Sequence, residues 1–191
     1  SSLLKLQSGY IKDNHLLDHS HNILIDSQNR VRSMALVHQK LYQSKDFSQI
    51  DFSEYLRQLS DHLFNVFKST SGEVKLNIQS KKVNLSIDLA IPCGLIINEL
   101  ISNSLKYAFP EGKGGKIGLK INTSESGEVS ICVSDNGIGF PEDIDYRNTQ
   151  SLGLQLVNTL VGQIDGTMTM QNRDGTNFEL KFLNKPSKIR T

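Results

Sequence analysis

The chain has 191 residues, of which 37% are hydrophobic and 21% charged, so it is long enough to bury a substantial core. A formal net charge of +1 gives no basic footprint for nucleic acid, and no apolar run reaches the length of a membrane span, so we expect neither nucleic-acid binding nor membrane contact by this chain. The two cysteines, Cys93 and Cys132, fit reduced core positions of a cytoplasmic protein better than a disulfide.

The first 42 residues have the pattern of helices joined near Lys12–His15. Four positions that recur every seventh residue predict the seam of a helical hairpin: Leu17, Leu24, Val31 and His38. Apart from its own short first helix, the sequence offers no second helix long enough to cover this seam, so we expect another copy of the chain, or residues preceding Ser1, to do so. The start at Ser1, without a methionine, suggests a fragment. We assign 1–47 to this partial hairpin.

Residues 43–50 are polar and predict a linker, after which Asp51 and Glu54 form the pattern of a capping box at the start of a helix. Strand-like and helical stretches then alternate, with a helix entered near Pro92. The predicted strands are VKLNIQ, KVNLSI, KIGLKINT, EVSICVSD, TMTMQN and TNFELKFL. This order predicts an α+β fold over 51–185, a mixed sheet with helices on one face, followed by a tail at 186–191.

The segment Ile97–Phe109, INELISNSLKYAF, is a predicted core helix interrupted by polar residues. At about 100° per residue, Glu99, Asn103 and Lys106 fall within roughly 60° of one another, with Tyr107 at the edge of that arc. Apolar residues fall on the opposite side: Ile97, Ile101, Leu105 and Ala108. The polar arc fits a solvated helix face, or a site where an amide oxygen binds Mg²⁺ and a lysine balances phosphate charge. The helix alone leaves both interpretations open.

The motif VSDNGIGF places Asp135, Gly137 and Gly139 directly after an alternating strand. Asp-Asn-Gly is a strong hairpin signal, but the polar loop Pro141–Ser151 follows in place of a returning strand. A carboxylate at this position can accept a hydrogen bond from an exocyclic amine, and the glycines let backbone approach a flat ring. This chemistry favours adenine over guanine.

Four motifs in this order, NELISNSLKYAF, DNGIGF, SLGLQLV and GTNFELKF, resemble the N-box, the glycine boxes and the terminal Gly-Thr strand of the GHKL (Bergerat-type) ATP-binding fold. The segments SLLKLQSGYIKD, DSQNRVRSMALVHQKLYQS and IDFSEYLRQL resemble the second type of histidine-kinase dimerisation domain (HisKA_2-like). The resemblance covers nearly the whole chain. It implies the core of a two-component sensor histidine kinase, a dimeric transferase for signal transduction that phosphorylates a histidine.

The resemblance also implies roles for individual residues. Asn103 would coordinate the Mg²⁺ that bridges the ATP phosphates, with Asn98 and Glu99 close by. Asp135 would read the adenine amine, and Pro141–Ser151 would form a lid over ATP. The remaining nucleotide-binding residues that it implies are Lys106, Tyr107, Gly137, Gly139, Gly153, Leu154, Gly175 and Thr176. Taken alone, Gly175-Thr176 also fits a plain hairpin turn.

Two positions depart from the family pattern. Ser151 replaces the first glycine of the second glycine box, which makes the phosphate loop less open. Glu99 stands where many histidine kinases carry asparagine and where the heat-shock chaperones carry a water-activating glutamate. A carboxylate at this position could act as a general base toward the attacking imidazole or water.

In the family, the phosphorylated histidine precedes a phrase like SSLLKLQ, so we expect it upstream of Ser1. The chain's own histidines are His15, His19, His21, His38 and His62. We therefore expect ATP binding without autophosphorylation of this chain, with relay from the upstream histidine to an aspartate of a response regulator. Two alternatives remain open: a GHKL-type ATPase that uses the same pocket for hydrolysis, and a catalytically silent dimerisation module.

Overall fold

The computed structural model describes residues 49–67, 73–110 and 113–184, together with single helical positions at 27, 28, 30–32, 35 and 39. Contacts divide the chain into two compact units, 1–32 and 33–191. Most of the predicted hairpin at 1–47 and the tail at 186–191 lie outside the described residues, and the domain boundaries stay predictions. No helix in the described part of the chain is long and apolar enough to cross a bilayer.

A five-stranded sheet forms the centre of the second unit, in the order β2-β4-β5-β7-β6. Its strands are β2 (Val74–Ser80), β4 (Gly115–Thr123), β5 (Glu128–Asp135), β6 (Thr167–Asn172) and β7 (Thr176–Leu183). Strands β2 and β4 run parallel and the other neighbours antiparallel, which confirms the predicted mixed sheet. The short strands β1 (Ile50–Asp51) and β3 (Asn84–Leu85) form a separate antiparallel pair.

Helix α1 (Phe52–Phe67) begins as the sequence predicts, because the backbone N–H of Glu54 donates to Asp51 Oδ1 at 3.1 Å. Its apolar side is fully buried: Phe52, Tyr55, Leu56, Leu59 and Leu63. Two expectations nearby are wrong. Ile50, assigned to the linker, is a buried strand residue. The strand predicted over KVNLSI is reduced to two residues, because Ser86 already occupies the N-cap position of the next helix.

Helix α2 (Ile87–Asn103) continues into a π-helical turn, Ser104–Ala108. The helix begins five residues before Pro92, and not near it as the sequence suggested. Pro92 removes one helical hydrogen bond, whose carbonyl belongs to the exposed residue Asp88. Helix α2 is buried from Pro92 to Ser102 and packs against α1 and against α3 (Leu152–Gln163).

One face of the sheet carries the apolar residues that pack toward the helices. On β5, Val129, Ile131 and Val133 alternate with more exposed residues and are at most 2% exposed. Asp135 continues this alternation and pairs with the buried residue Ile117 of β4. Since alternate residues of a strand share a face, the carboxylate of Asp135 lies on the helix side of the sheet.

Candidate functional site

A cavity of about 480 Å³ lies at the end of β5, beside the C-terminal part of α2 and its π-helical turn. Helix residues, strand ends and the loop between β5 and α3 all contribute to its wall. The lining residues are Leu100, Asn103, Ser104, Tyr107, Ala108, Asp135, Ile138, Gly139, Phe140, Pro141, Ile144, Thr149, Ser151, Leu154, Thr176 and Phe178. The cavity therefore combines a mostly apolar wall with a few convergent polar groups, which is typical of small-molecule sites.

The carboxylate of Asp135 is held by three hydrogen-bond donors. Its Oδ1 accepts from the backbone N–H of Gly137 at 3.1 Å and from that of Thr176 at 3.2 Å. Its Oδ2 accepts from the hydroxyl of Ser104 at 2.8 Å. Because each carboxylate oxygen has two acceptor positions, the Oδ2 atom keeps one position for a ligand N–H. The site thus presents an oriented acceptor at the cavity wall.

Ser104 is a site residue that the sequence reasoning missed. It lies in the π-helical turn, is 9% exposed and lines the cavity. Serine in a helix often bonds its own backbone, whereas this hydroxyl reaches a strand 31 residues further along the chain. Its position directly after Asn103 was the only available sign, since nothing local to the segment reveals a partner so distant in sequence.

The glycines of the site are needed for close packing of the protein against itself. A Cβ on Gly137 would collide with the carbonyl of Ala108, and one on Gly175 would collide with the carbonyl of Asp135. Gly175 also has a φ of 112°, which disfavours any other residue. From the sequence, Gly137 and Gly139 are both expected to let backbone approach a flat ring. In the structure only Gly139 lines the cavity, and Gly137 supports Asp135 from behind.

The polar arc predicted on α2 is only partly found at the cavity. Asn103 and Tyr107 line it, while Lys106 is half-buried and lies outside the lining residues. Glu99 is 5% exposed and also lies outside the lining, and its Oε1 accepts from Asn98 Nδ2 at 3.1 Å. Ala108, expected on the buried side, is 6% exposed and also lines the cavity. The arc that faces the cavity is therefore centred between Asn103 and Ser104, about one position later than predicted.

The loop predicted as a lid, Pro141–Ser151, forms one side of the cavity. Four of its residues line the cavity: Pro141, Ile144, Thr149 and Ser151. Ser151 directly precedes α3, and its side chain makes no capping hydrogen bond. Leu154 lines the cavity and Gly153 is half-buried beside it, in the first turn of α3. Backbone N–H groups of this turn lack helical partners, which suits an anion.

The described residues offer one side-chain ligand for Mg²⁺, and they do not form a metal site in which protein side chains supply all the ligands. Within the described ranges, no three histidine, cysteine or acidic side chains come together as a metal site. Asn103 lines the cavity, and its side-chain amide has no hydrogen-bond partner among the described residues. Mg²⁺ usually takes one or two protein oxygens and completes its shell with phosphate oxygens and water. Asn103 meets that requirement.

The cysteines take no part in the cavity. Cys93 is fully buried in α2, and burial raises the pKa of its thiol. Cys132 was also expected in the core, but it is only half-buried, and its Sγ donates to Asn177 Oδ1 at 2.8 Å. Burial raises the pKa of Cys132 as well, and the nearby carboxylate of Glu179 adds to that effect. Since the thiolate is the reactive form, neither residue suits a nucleophile.

Two protein families match the chain. Residues 88–186 match the family described as histidine kinase-, DNA gyrase B-, and HSP90-like ATPase. This match contains α2, the cavity loop, α3 and the strands from β4 onward. Residues 1–67 match the family HisKA_2, described as histidine kinase, and this match extends through α1.

Individual relatives are similar to the chain over most of its length. Sensor histidine kinase PdtaS of Mycobacterium tuberculosis is 31% identical over 151 residues, which cover 78% of this chain and 30% of the relative. Blue-light-activated histidine kinase 2 of Erythrobacter litoralis is 27% identical and covers 72% of this chain and 41% of the relative. The histidine kinase domain of E. litoralis EL346 blue-light activated histidine kinase shares the fold, with a TM-score of 0.76, 22% identity and coverage of 85% of this chain and 81% of that one. The chain thus spans well under half of the two curated relatives.

Proposed function

The chain belongs to the histidine kinase-, DNA gyrase B-, and HSP90-like ATPase family, and we propose that it is the part of a sensor histidine kinase that binds ATP and transfers the γ-phosphoryl group to a histidine. The oriented carboxylate of Asp135 at the wall of the cavity is the observation that carries this proposal. ATP is the substrate expected for this family, and Mg²⁺ is part of the proposal.

The proposal assigns the Asp135 end of the cavity to adenine. The free acceptor position of Oδ2 would receive the exocyclic amine, while guanine would bring a carbonyl oxygen against the carboxylate and be repelled. Apolar side chains, including Leu100 and Phe178, would cover the faces of the ring. The hydroxyl of Thr176, which lines the cavity beside Asp135, would bond the base directly or through water. Gly137 and Gly175 would act by holding this end in place.

The proposal assigns the Asn103 end to the phosphates. Asn103 would supply an oxygen to Mg²⁺, which neutralises charge on the triphosphate when bound. Lys106 and Tyr107 follow on the next turn and would reach phosphate or ribose, with Lys106 moving its flexible side chain to do so. The first turn of α3, at Gly153 and Leu154, would add backbone N–H donors. Catalysis would then rest mainly on positioning and charge neutralisation.

Glu99 remains the proposed general base. It lies one helical turn before Asn103, is buried, and its carboxylate already accepts a hydrogen bond from Asn98. A carboxylate at this position would accept the proton that the attacking group loses. Asn98 would act by orienting Glu99.

The reaction partners complete the proposal. The chain would form a homodimer through its N-terminal helices, and an aspartate of a response-regulator receiver domain would take the phosphoryl group from the acceptor histidine. Of the chain's histidines only His62, half-buried on α1, lies in the described residues. We place the protein in the cytoplasm, where ATP and receiver domains are found.

The test uses ATP labelled at the γ-phosphate, this chain, and a second protein that also carries the residues preceding Ser1 in its gene. We expect both proteins to bind ATP, and only the longer one to acquire a label that is lost in acid, as a phosphohistidine label is. Asp135→Asn is the inactive control. Label on a histidine of the 191-residue chain would show that the upstream location is wrong. Steady phosphate release without a phosphoprotein would favour the ATPase, and failure of ATP to raise the melting temperature would favour the silent module.

A further inference from the structure

The side chain of Asn172 forms two hydrogen bonds with the backbone of one residue, Phe140. The backbone N–H of Phe140 donates to Asn172 Oδ1 at 2.7 Å, and Asn172 Nδ2 donates to the carbonyl of Phe140 at 2.7 Å. Asn172 is the last residue of β6, an edge strand, and lies 32 residues further along the chain than Phe140. Its side-chain amide therefore pairs with both the N–H and the carbonyl of Phe140, as the backbone of a neighbouring antiparallel strand would.

The residue before Phe140 is fitted to this pairing. Gly139 has a φ of 86°, in the left-handed region that favours glycine. A Cβ on Gly139 would lie 2.6 Å from Asn172 Oδ1. The glycine thus serves two purposes, because it turns the chain and leaves room for the amide of Asn172.

Phe140 connects this pairing to the cavity. Phe140 lines the cavity, and its ring meets that of Phe178 edge to face, with ring centroids 6.0 Å apart. Phe178 in turn meets Tyr146 edge to face at 5.6 Å, and the hydroxyl of Tyr146 donates to the carbonyl of Met168 on β6 at 3.2 Å. Strand β6 therefore holds the residue directly before the lid loop and a residue in the middle of the loop.

We infer that Asn172 is a positioning residue for nucleotide binding, which fixes Phe140 and the start of the lid so that the cavity wall exists before the ligand arrives. The inference rests on the proposed function of the cavity. Asn172 is absent from the cavity lining, so it acts through Phe140 and the following Pro141, which both line the cavity. A wall that must be ordered on binding lowers affinity, because the ligand then has to offset the ordering cost.

The experiment compares the 191-residue protein with Asn172→Ala and with Gln171→Ala, an exposed neighbour on the same strand that serves as the matched control. ATP dissociation constants are measured by calorimetry at a temperature where every variant is folded, and hydrogen exchange is followed at the Phe140 amide. We expect Asn172→Ala to weaken ATP binding about tenfold and to speed exchange at Phe140, since two hydrogen bonds are lost. Gln171→Ala should change neither.

A second variant covers the case in which Asn172→Ala does not fold. Asn172→Asp keeps the size and the acceptor but places a second acceptor against the Phe140 carbonyl, so it should also weaken ATP binding. A lower melting temperature with an unchanged ATP dissociation constant would reduce Asn172 to a structural role and overturn the inference. If the unaltered protein binds no ATP, the proposed function fails, and the inference fails with it.

Discussion

The two ends of the cavity differ in how much of their geometry exists without a ligand. At one end, three donors fix the carboxylate of Asp135, and two of them are backbone groups that side-chain motion cannot displace. At the other end, the amide of Asn103 has no partner among the described residues, and Tyr107 is 66% exposed. One end is built by the fold, while the other supplies groups that a ligand must organise.

This difference suggests that the Asp135 end selects the base and that the Asn103 end binds the metal and the phosphates. An acceptor held in place can discriminate between bases, because an incorrect base cannot move it. Metal and phosphates bring their own charge and coordination preferences, so the protein needs only a suitable oxygen, a lysine and a helix N-terminus nearby. We therefore expect changes at the Asp135 end to alter affinity and base preference, and changes at the Asn103 end to alter magnesium dependence and turnover.

The largest effect is expected from Glu99→Gln, which tests the Asn103 end of the cavity. Glutamine keeps an oxygen for Asn98 Nδ2 but cannot accept a proton, so turnover of ATP should fall about 10²- to 10⁴-fold while ATP affinity stays nearly unchanged. Turnover is measured as transfer of the labelled phosphoryl group to histidine in the longer protein. Glu128→Gln, at an exposed position on β5, is the control. Unchanged turnover in Glu99→Gln would eliminate Glu99 as the base.

Asp135→Asn should produce the next largest effect, a loss of ATP affinity of about 100-fold. The amide oxygen can still accept from Gly137 and Thr176, so the fold is kept, but an N–H then faces the incoming amine. Isothermal calorimetry measures the loss, and GTP affinity should fall less than ATP affinity. Asp165→Asn is the control, since that exposed residue has a φ of 50°, which asparagine tolerates. Equal ATP affinity in Asp135→Asn would contradict the assignment of this end to adenine.

Asn103→Ala should have a smaller effect that depends on metal. ATP binding in the presence of Mg²⁺ should weaken about tenfold, to the value measured with a chelator, because the protein's oxygen ligand is removed. Titrations with Mg²⁺ and with chelator are compared for Asn103→Ala and for Asn122→Ala, an exposed position on β4. If Mg²⁺ strengthens ATP binding equally in both variants, Asn103 does not hold the metal.

Ser104→Ala should have the smallest effect, a rise of about threefold to tenfold in the ATP dissociation constant. The carboxylate of Asp135 keeps its two backbone donors but loses the one that orients Oδ2. Ser130→Ala, on the opposite face of β5, is the matched control. An ATP affinity equal to that of the unaltered protein would mean that the backbone donors alone orient the carboxylate.

Much of the fold and part of the site could be predicted from the sequence. The α+β class, the mixed sheet and the kinase family are confirmed. They were predictable because hydrophobic periodicity and the four ordered motifs are local in sequence and do not depend on contacts between distant segments. Asp135 was recognisable at the end of an alternating strand. The roles of the individual site residues stay predictions until ligand binding is measured.

Other features depend on contacts between distant segments and could not be predicted. Tertiary packing sets which face of the helix and its π-helical turn meets the cavity, so the predicted polar arc lies about one position away from the residues that line it. The hydrogen bonds of Ser104 and Asn172 each join segments about thirty residues apart. For the same reason, Gly137, which was expected to face a ligand, is fitted to the carbonyl of Ala108.

The central claim is that this cavity selects adenine through Asp135, and the most direct test is the melting temperature of the unaltered chain with Mg·ATP and with Mg·GTP at equal concentration. A ligand bound only by the folded form at 100 times its dissociation constant stabilises it by about 2.7 kcal/mol. The account predicts a clear rise with ATP and little or none with GTP. An equal rise with both nucleotides, or no rise with ATP, would contradict it.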